Sequence, residues 1–213
     1  MAQRMIHYLI GTMLAGRYEV PDRKRFLLGS ILPDAYVDVK DRDVTHFVNK
    51  NDPAVRFYDF ERFRAEYRDH MQDGLYLGYY MHLVEDDFYR RLIRKDHDLR
   101  VYDDPDGVKK LHRDYQILNS YIAEKWQLDN GLEETPDTSG EAMLQIADFD
   151  LPGFTDELQH DFTDIIHGET IFLTEAILEE FLQKYLPEIE RELQAVLEGK
   201  TYLRADNFAW RRR

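Results

Sequence analysis

Apolar residues recur three to four positions apart along almost the entire chain, which is the spacing of one face of an α-helix. No stretch alternates apolar and polar residues for long enough to predict a β-strand. We therefore expect an all-α protein, folded as one multi-helix bundle over residues 1–213. Residues 129–140 have the composition of a linker, and we expect a loop or linker there before the C-terminal helices.

Capping residues and prolines give the expected helix boundaries. Asp22 can cap a helix that Pro33 stops. The Asp-rich segment that follows, 34 to about 53, shows no regular spacing of apolar residues, which predicts an ordered loop. The other expected helices span about 3–17, 57–72, 75–95 and 106–128, then a short helix capped by Ser139, one from Thr155 to about Ile166, and a long one over 170–198 that Pro187 kinks or divides.

The charge balance argues against several partners and locations. Asp and Glu number 42 against 28 Lys and Arg, so the formal net charge is −14. Such a chain repels a phosphate backbone, and Arg211, Arg212 and Arg213 are too few to reverse this, so duplex nucleic acid is not an expected partner. Every apolar run falls short of the roughly 18–20 residues of a membrane span, and the N-terminal stretch lacks a small-residue cleavage site. We expect a cytoplasmic protein without a transmembrane segment.

One helix carries the strongest indication of chemistry. At helical spacing, His82 and Asp86 fall on the apolar stripe of segment 75–93, and an ionised Asp there needs a partner because an unpaired buried charge costs several kcal/mol. A His and an Asp four residues apart project toward one point, as metal ligands on helices do. The alternative is a His–Asp hydrogen bond that stabilises helix packing. The charged, solvent-facing side of this helix is expected to comprise Asp87, Arg90, Arg91 and Arg94.

Three further residues fit a metal site. His7 shares a helix face with Ile10 and Leu14 and therefore points inward. Asp34 follows a proline at the end of an apolar helix, where a carboxylate is unfavourable unless a positive group lies near. His46 stands among apolar neighbours in DVTHFV, within an otherwise acidic loop. Each residue alone can equally be a hydrogen-bonded core or loop residue. The chain has no cysteine, so a metal here must use imidazole nitrogen and carboxylate oxygen.

In their order and context these motifs resemble the zinc-dependent phospholipase C family, whose all-α fold is shared with the P1-type nucleases. The resemblance covers roughly residues 5–90 and rests on the inward His7, the GSILPD segment ending in Asp34, the following His46, and the LGYYMHLVEDD helix with His82 and Asp86. It implies that Asp34, His46, His82 and Asp86 are ligands of one metal, and that His7 and a bridging Asp86 are ligands of a second. One or two zinc ions are thus expected, with manganese or iron as other candidates.

The chain departs from the family pattern at two points. Secreted members use the free amine of a processed N-terminus as a ligand, whereas this chain begins Met1-Ala2. Members with a third zinc place further histidines and an acid after the helix that carries the His-x-x-x-Asp motif. The candidates here, each of which can equally be a surface or packing residue, are His160, Asp164 and His167, predicted to share one helical face, and His97 and His112.

The expected function is hydrolysis of a small phosphate ester, a phosphodiester or a phospholipid-like molecule, by metal-activated water. A dication held by imidazoles and carboxylates lowers the pKa of its water toward ~7. Asp34 is the candidate base toward that water. Two alternatives stay open. One is a non-catalytic helical protein with a structural metal or a buried His/Asp network and an acidic partner-binding surface. The other is an HD-type phosphohydrolase that uses His97-Asp98 or His160-Asp161.

Overall fold

The computed structural model describes residues 2–52 and 54–211, so Met1, Pro53, Arg212 and Arg213 lie outside the described residues. The chain is mostly helical, which confirms the predicted all-α class. Every helix within the described residues is too short or too polar to cross a membrane. The α-helices are α1 (Arg4–Arg17), α2 (Arg23–Ile31), α3 (Arg42–Thr45), α4 (Phe60–Glu66), α5 (Gly74–Arg91), α6 (Gly107–Trp126), α7 (Leu151–Thr163) and α8 (Glu175–Leu197).

Two short strands, β1 (Val55–Arg56) and β2 (Trp210–Arg211), form a small antiparallel sheet within the described part of the chain. Val55 pairs with Arg211, and Arg56 pairs with Trp210. Two residues are too few to give an alternating pattern, which is why the sequence predicts no strand here. The pairing brings the segment near residue 210 against the loop that precedes α4.

α5 is the central helix of the fold. Every residue from Gly74 to Tyr89 is buried, and the helix packs against α1, α2, α4 and α8. The prediction that Asp87 faces solvent is wrong, because this residue is 1% exposed. Of the three arginines predicted on the same side, Arg91 is exposed, whereas Arg90 and Arg94 are half-buried. The reason is tertiary: the backbone of Tyr58 lies close to Asp87, and Arg90 lies against the ring of Trp210.

Two glycines let α2 and α5 pack with their backbones in contact. A Cβ atom added at Gly29 would lie 2.1 Å from the carbonyl oxygen of Leu75, and one at Gly78 would lie 2.1 Å from the carbonyl oxygen of Phe26. No side chain fits at such distances, so both positions require glycine. The contact places the end of α2, including Ser30 and the Pro-Asp turn that follows it, directly beside the middle of α5.

Helix boundaries in the N-terminal half follow the sequence signals closely. Asp22 caps α2 by accepting a hydrogen bond from the backbone of Arg25, and Asp73 caps α5 in the same way. α2 ends at Ile31, and Pro33 lies in a 3-10 turn. The predicted loop over 34–53 is largely irregular but includes the single turn α3, and the predicted helix over 57–72 is reduced to α4 and a 3-10 turn.

Two predicted helix starts after residue 135 are wrong. Ser139 does not cap a helix, and the short 3-10 helix in that region begins only at Ala142. α7 starts at Leu151, because Asp150 accepts a hydrogen bond from the backbone of a following residue and a proline occupies the first turn. Thr155 therefore lies inside α7, where its hydroxyl donates to the backbone carbonyl of Leu151.

The long C-terminal helix starts later than predicted. The carboxylate of Asp114 on α6 accepts hydrogen bonds from the backbone N–H groups of Ile171, Phe172 and Leu173, at 2.7–3.0 Å. These bonds hold the segment in a non-helical conformation, and α8 begins only after Thr174 caps it. The helix then continues through Pro187 without division.

Residues 129–140 form a loop that is attached to α1 near its start. The hydroxyl of Tyr8 on α1 donates to the carbonyl of Asp129 and accepts from the backbone N–H of Gly131. Leu132 is 1% exposed and belongs to the same hydrophobic cluster as core residues on both sides of the loop. This loop therefore fixes the start of the C-terminal region against α1.

Candidate metal centre

The side chains of all five predicted site residues meet around the middle of α5. His82 and Asp86 lie one turn apart on α5, His7 comes from α1, Asp34 from the turn after α2, and His46 from the end of α3. Four of these residues are fully buried, and the Asp34 side chain is 13% exposed. The close contact of α2 with α5 is what brings the Pro-Asp turn to the histidines.

The potential ligand atoms face one another at short range. His46 Nε2 lies 3.3 Å from His82 Nε2, 3.2 Å from Asp34 Oδ1 and 3.6 Å from Asp86 Oδ2. His7 Nε2 lies 3.4 Å from Asp86 Oδ1. Ligands bonded to one zinc ion at about 2.0–2.2 Å are separated by similar distances. Two groups have ligand atoms within 4.8 Å of one another: His7, Asp34 and His82, and His46, His82 and Asp86.

The other ring nitrogen of each histidine is already hydrogen-bonded. His82 Nδ1 donates to a backbone carbonyl of α2 at 2.8 Å, and His46 Nδ1 donates to the carbonyl of Arg42 at 3.0 Å. His7 Nδ1 donates to the carboxylate of Glu85 at 2.7 Å. These acceptors place a proton on each Nδ1, so it is the Nε2 atoms that face the cluster, and each can bind a metal once it carries no proton. Histidines that bind metals in proteins are oriented by outer hydrogen bonds of this kind.

Several buried atoms of the cluster lack a hydrogen-bond partner among the described residues. They include His7 Nε2, Asp34 Oδ1 and Asp86 Oδ2. An unsatisfied buried polar atom costs about 1–3 kcal/mol, and the facing lone pairs of His46 and His82 add a repulsion. A divalent cation would satisfy all of these atoms at once. Three imidazoles and two carboxylates are a donor set that suits zinc, manganese or iron, so the residues present fit a metal.

The electrostatics of the cluster also favour a cation. Burial and the positive charge of His7 lower the pKa of His82 to about 3, which keeps this imidazole neutral. Burial acts to raise the pKa of Asp34, but the contact with His46 and the charge of His7 outweigh it and lower the pKa to about 2. At Asp86, burial is outweighed by nearby positive charge and by the contact with His7, so its pKa lies well below its usual range. Both carboxylates are therefore ionised.

The N-terminal segment also reaches the cluster. Ala2 is 4% exposed, and its backbone N–H donates to Asp86 Oδ1 at 2.8 Å. Asp86 thus contacts groups from α1, α3 and the segment before α1, in addition to its own helix. Its two carboxylate oxygens face different imidazoles, since Oδ1 lies near His7 and Oδ2 near His46.

Glu85 is absent from the predicted site, although it contacts the cluster directly. It is fully buried, and burial raises its pKa to about 7 against the opposing effect of His7. Burial lowers the pKa of His7, but the hydrogen bonds with Asp86 and Glu85 outweigh it and raise that pKa to about 10. The sequence does carry a signal for Glu85, because it follows His82 by three residues and so lies near the same helix face.

We expect Glu85→Gln to weaken metal binding by about 10- to 100-fold while the protein remains folded, because the amide orients His7 less firmly than the carboxylate. Competition with a chromogenic chelator measures the change. Glu180→Gln is the matched control. Glu180 also pairs with a histidine, His97 Nε2 at 3.0 Å, but neither residue belongs to the cluster. Equal metal affinities of the two variants would contradict a supporting role for Glu85.

A cleft of about 870 Å³ opens beside the cluster. Asp34 lines this cleft, whereas the other four site residues lie behind its surface. Four of the exposed apolar side chains also line it: Val37, Val39, Tyr102 and Val108. Asp34 is therefore the site residue through which this cleft gives a small molecule access to the cluster.

The remaining histidine candidates do not join the cluster. α7 ends at Thr163, so the predicted common face of His160, Asp164 and His167 is wrong; His160 instead lies 3.4 Å from Asp164 at the surface. His97 pairs with Glu180, and His112 is exposed in the wall of the cleft. Among the described residues, neither His97-Asp98 nor His160-Asp161 belongs to a group of side chains that could hold a metal ion. Asp161 instead binds Arg4 at 2.7 Å.

No protein-family model, curated protein or solved structure matches this chain. The function must therefore be argued from the residues and the geometry of the site.

Proposed function

We propose that this protein is a metal-dependent hydrolase of phosphate esters. One or two ions, most favourably zinc, would be held by His7, Asp34, His46, His82 and Asp86. A single observation carries the proposal: three imidazole nitrogens and two carboxylates converge at the side of a cleft that can hold a small ester, and His7 Nε2, Asp34 Oδ1 and Asp86 Oδ2 have no hydrogen-bond partner among the described residues. The resemblance of the same motifs to zinc-dependent phospholipases C supports it.

A bound dication would acidify a neighbouring water and neutralise the charge that develops on an attacked phosphate. Asp34 is the side chain through which the cluster reaches the cleft, and its ionised carboxylate can accept a proton from water there. His46 Nε2 lies 3.2 Å from Asp34 Oδ1, so the two atoms can bind the same ion. The full burial of His7, His82 and Asp86 keeps water away from the opposite side of the cluster.

An anionic substrate must overcome the net charge of −14, and the cleft offers local positive charge for this purpose. Arg42 lines the cleft beside the cluster. Burial acts to lower the pKa of its guanidinium, but nearby Tyr58 and the carboxylates of Asp86 and Asp34 outweigh this effect and raise the pKa. Its guanidinium is thus always charged. The apolar side chains of the cleft suit an organic substituent on the phosphate, which favours an ester over inorganic phosphate.

We expect the purified protein to contain one or two equivalents of zinc, manganese or iron, and to hydrolyse bis(p-nitrophenyl) phosphate. His82→Ala should lower the rate at least about 10³-fold, because it removes a ligand shared by both groups. His97→Ala removes a histidine that pairs with Glu180 outside the cluster and should keep the rate.

Inactivity of a folded, metal-loaded protein across a broad panel of phosphoesters would overturn the proposed activity. The full burial of four of the five residues would then favour a structural metal site, which is closed to water. A protein that stays free of metal in all preparations would overturn both interpretations.

A further inference from the structure

Two arginines extend from the cluster along the helix that carries it. Asp86, Arg90 and Arg94 follow one another at four-residue spacing, and both arginines line the cleft. α5 ends at Arg91 and continues as a π-helical turn over Leu92–Asp96, which carries Arg94. At about 1.5 Å of rise per residue, the two arginines lie roughly 6 Å and 10–12 Å along the axis from Asp86.

Neither guanidinium has an ion pair or hydrogen bond with any residue that the structure describes. Arg90 instead lies over the ring of Trp210 at 3.7 Å, and Arg94 lies over the ring of Tyr102 at 4.7 Å. Stacking on a ring holds one face of a guanidinium and leaves its N–H donors available at the edge. Burial lowers the pKa of Arg90, and the charge of Arg94 adds to this effect. The positive charge there is incompletely compensated.

The acidic side chains of the cleft are already engaged. Glu157 and Asp161 bind Arg4 at 2.9 and 2.7 Å, and Asp150 accepts a hydrogen bond from the backbone as the cap of α7. Asp34 belongs to the cluster. The cleft therefore offers two cations that its own carboxylates do not neutralise, one and two turns along the helix from Asp86.

We propose that Arg90 and Arg94 form a subsite for a second phosphate group of the substrate, separated from the scissile phosphodiester by a short organic spacer. Arginine presents a planar set of N–H donors that matches phosphate, and two arginines on successive turns can bind its oxygens together. The subsite rests on the proposed hydrolase function and names its substrate class. It selects phosphodiesters that carry a terminal phosphomonoester and disfavours cationic head groups such as choline.

Two chromogenic diesters that differ only in the terminal group test this subsite: p-nitrophenyl 4-phosphobutyl phosphate and p-nitrophenyl 4-hydroxybutyl phosphate. We expect the zinc-loaded wild type to prefer the phosphorylated ester about tenfold or more in kcat/KM, mainly through KM. Arg90→Gln and Arg94→Gln should each remove most of that preference. Arg91→Gln is the matched control, because Arg91 lies between them on the same helix but is exposed and does not line the cleft. It should keep the preference.

A binding measurement separates this inference from the proposed activity. Calorimetric titration with 1,4-butanediol bisphosphate should show binding to the wild type and to Arg91→Gln, and about tenfold weaker binding to Arg90→Gln and Arg94→Gln. If neither ester is cleaved but binding depends on Arg90 and Arg94, the subsite stands and the hydrolase proposal fails. Equal binding by all four proteins, or cleavage without preference for the phosphorylated ester, overturns the subsite.

Discussion

Replacing Asp86 with asparagine is expected to strip the protein of metal and to lower phosphodiester hydrolysis at least about 10³-fold. The Asp86 carboxylate lies 3.4 Å from His7 Nε2, 3.6 Å from His46 Nε2 and 4.0 Å from His82 Nε2. The amide has nearly the same shape but removes the negative charge at the centre of the three imidazoles. Elemental analysis of the purified variant, together with rates on bis(p-nitrophenyl) phosphate, measures both effects.

Asp87→Asn is the matched control for this change. Asp87 is the next residue on α5 and is as deeply buried, but it contacts none of the three imidazoles among the described residues. Burial and the charge of Asp86 raise the pKa of Asp87 well above its usual range, so the amide replaces a protonated carboxyl. We expect metal content and activity within about twofold of the wild type. Equal metal content in both variants would show that the cluster is not the metal site.

The residues of the candidate site were accessible to sequence reasoning because their placement is decided locally. His7, His82 and Asp86 occupy helix faces that apolar neighbours mark as inward, and Asp34 follows a proline that must end its helix. Asp22 and Asp73 cap their helices through bonds to residues only two or three positions away. Such signals depend on few residues, so a single sequence carries them.

The incorrect predictions concern contacts between distant parts of the chain. Asp87 and Arg90 have the charge typical of a solvent-facing side. Asp87 instead lies close to the backbone of Tyr58, and Arg90 lies against Trp210, about 120 residues further along. The start of α8 is delayed by Asp114, which lies about 57 residues earlier and takes three backbone N–H groups. Helix propensity cannot show such competition, since the deciding partner is remote in sequence.

The short sheet and Glu85 were missed for different reasons. A pairing of two residues with two, such as Val55 and Arg56 with Trp210 and Arg211, leaves no pattern in either segment. Glu85 did share the inward face of α5 at a spacing of three from His82. Its role depends on α1, because only the approach of His7 turns a buried acid into part of the site.

Gly78→Ala is expected to destabilise the protein by about 3 kcal/mol or more and to weaken metal binding in whatever fraction stays folded. The added methyl group would lie 2.1 Å from the Phe26 carbonyl oxygen and 2.8 Å from the Ser30 nitrogen. Both are backbone atoms, so no rotamer change relieves the clash and α2 must move away from α5. That movement would break the hydrogen bond from His82 Nδ1 to the Ser30 carbonyl and would displace Asp34. Urea denaturation and a metal titration of the folded protein measure the two effects.

Gly16→Ala separates this packing effect from a general effect of losing glycine. Gly16 lies in α1 with nothing within 4 Å of an added Cβ and with an ordinary helical backbone. Alanine there should stabilise the protein by about 0.5–1 kcal/mol, because it favours the helix, and should leave metal affinity unchanged. If Gly78→Ala behaved like Gly16→Ala in both measurements, α2 and α5 would not be in backbone contact. The Pro-Asp turn would then lack the support that places Asp34 beside His46 and His82, and the geometry on which the proposed metal centre depends would be lost.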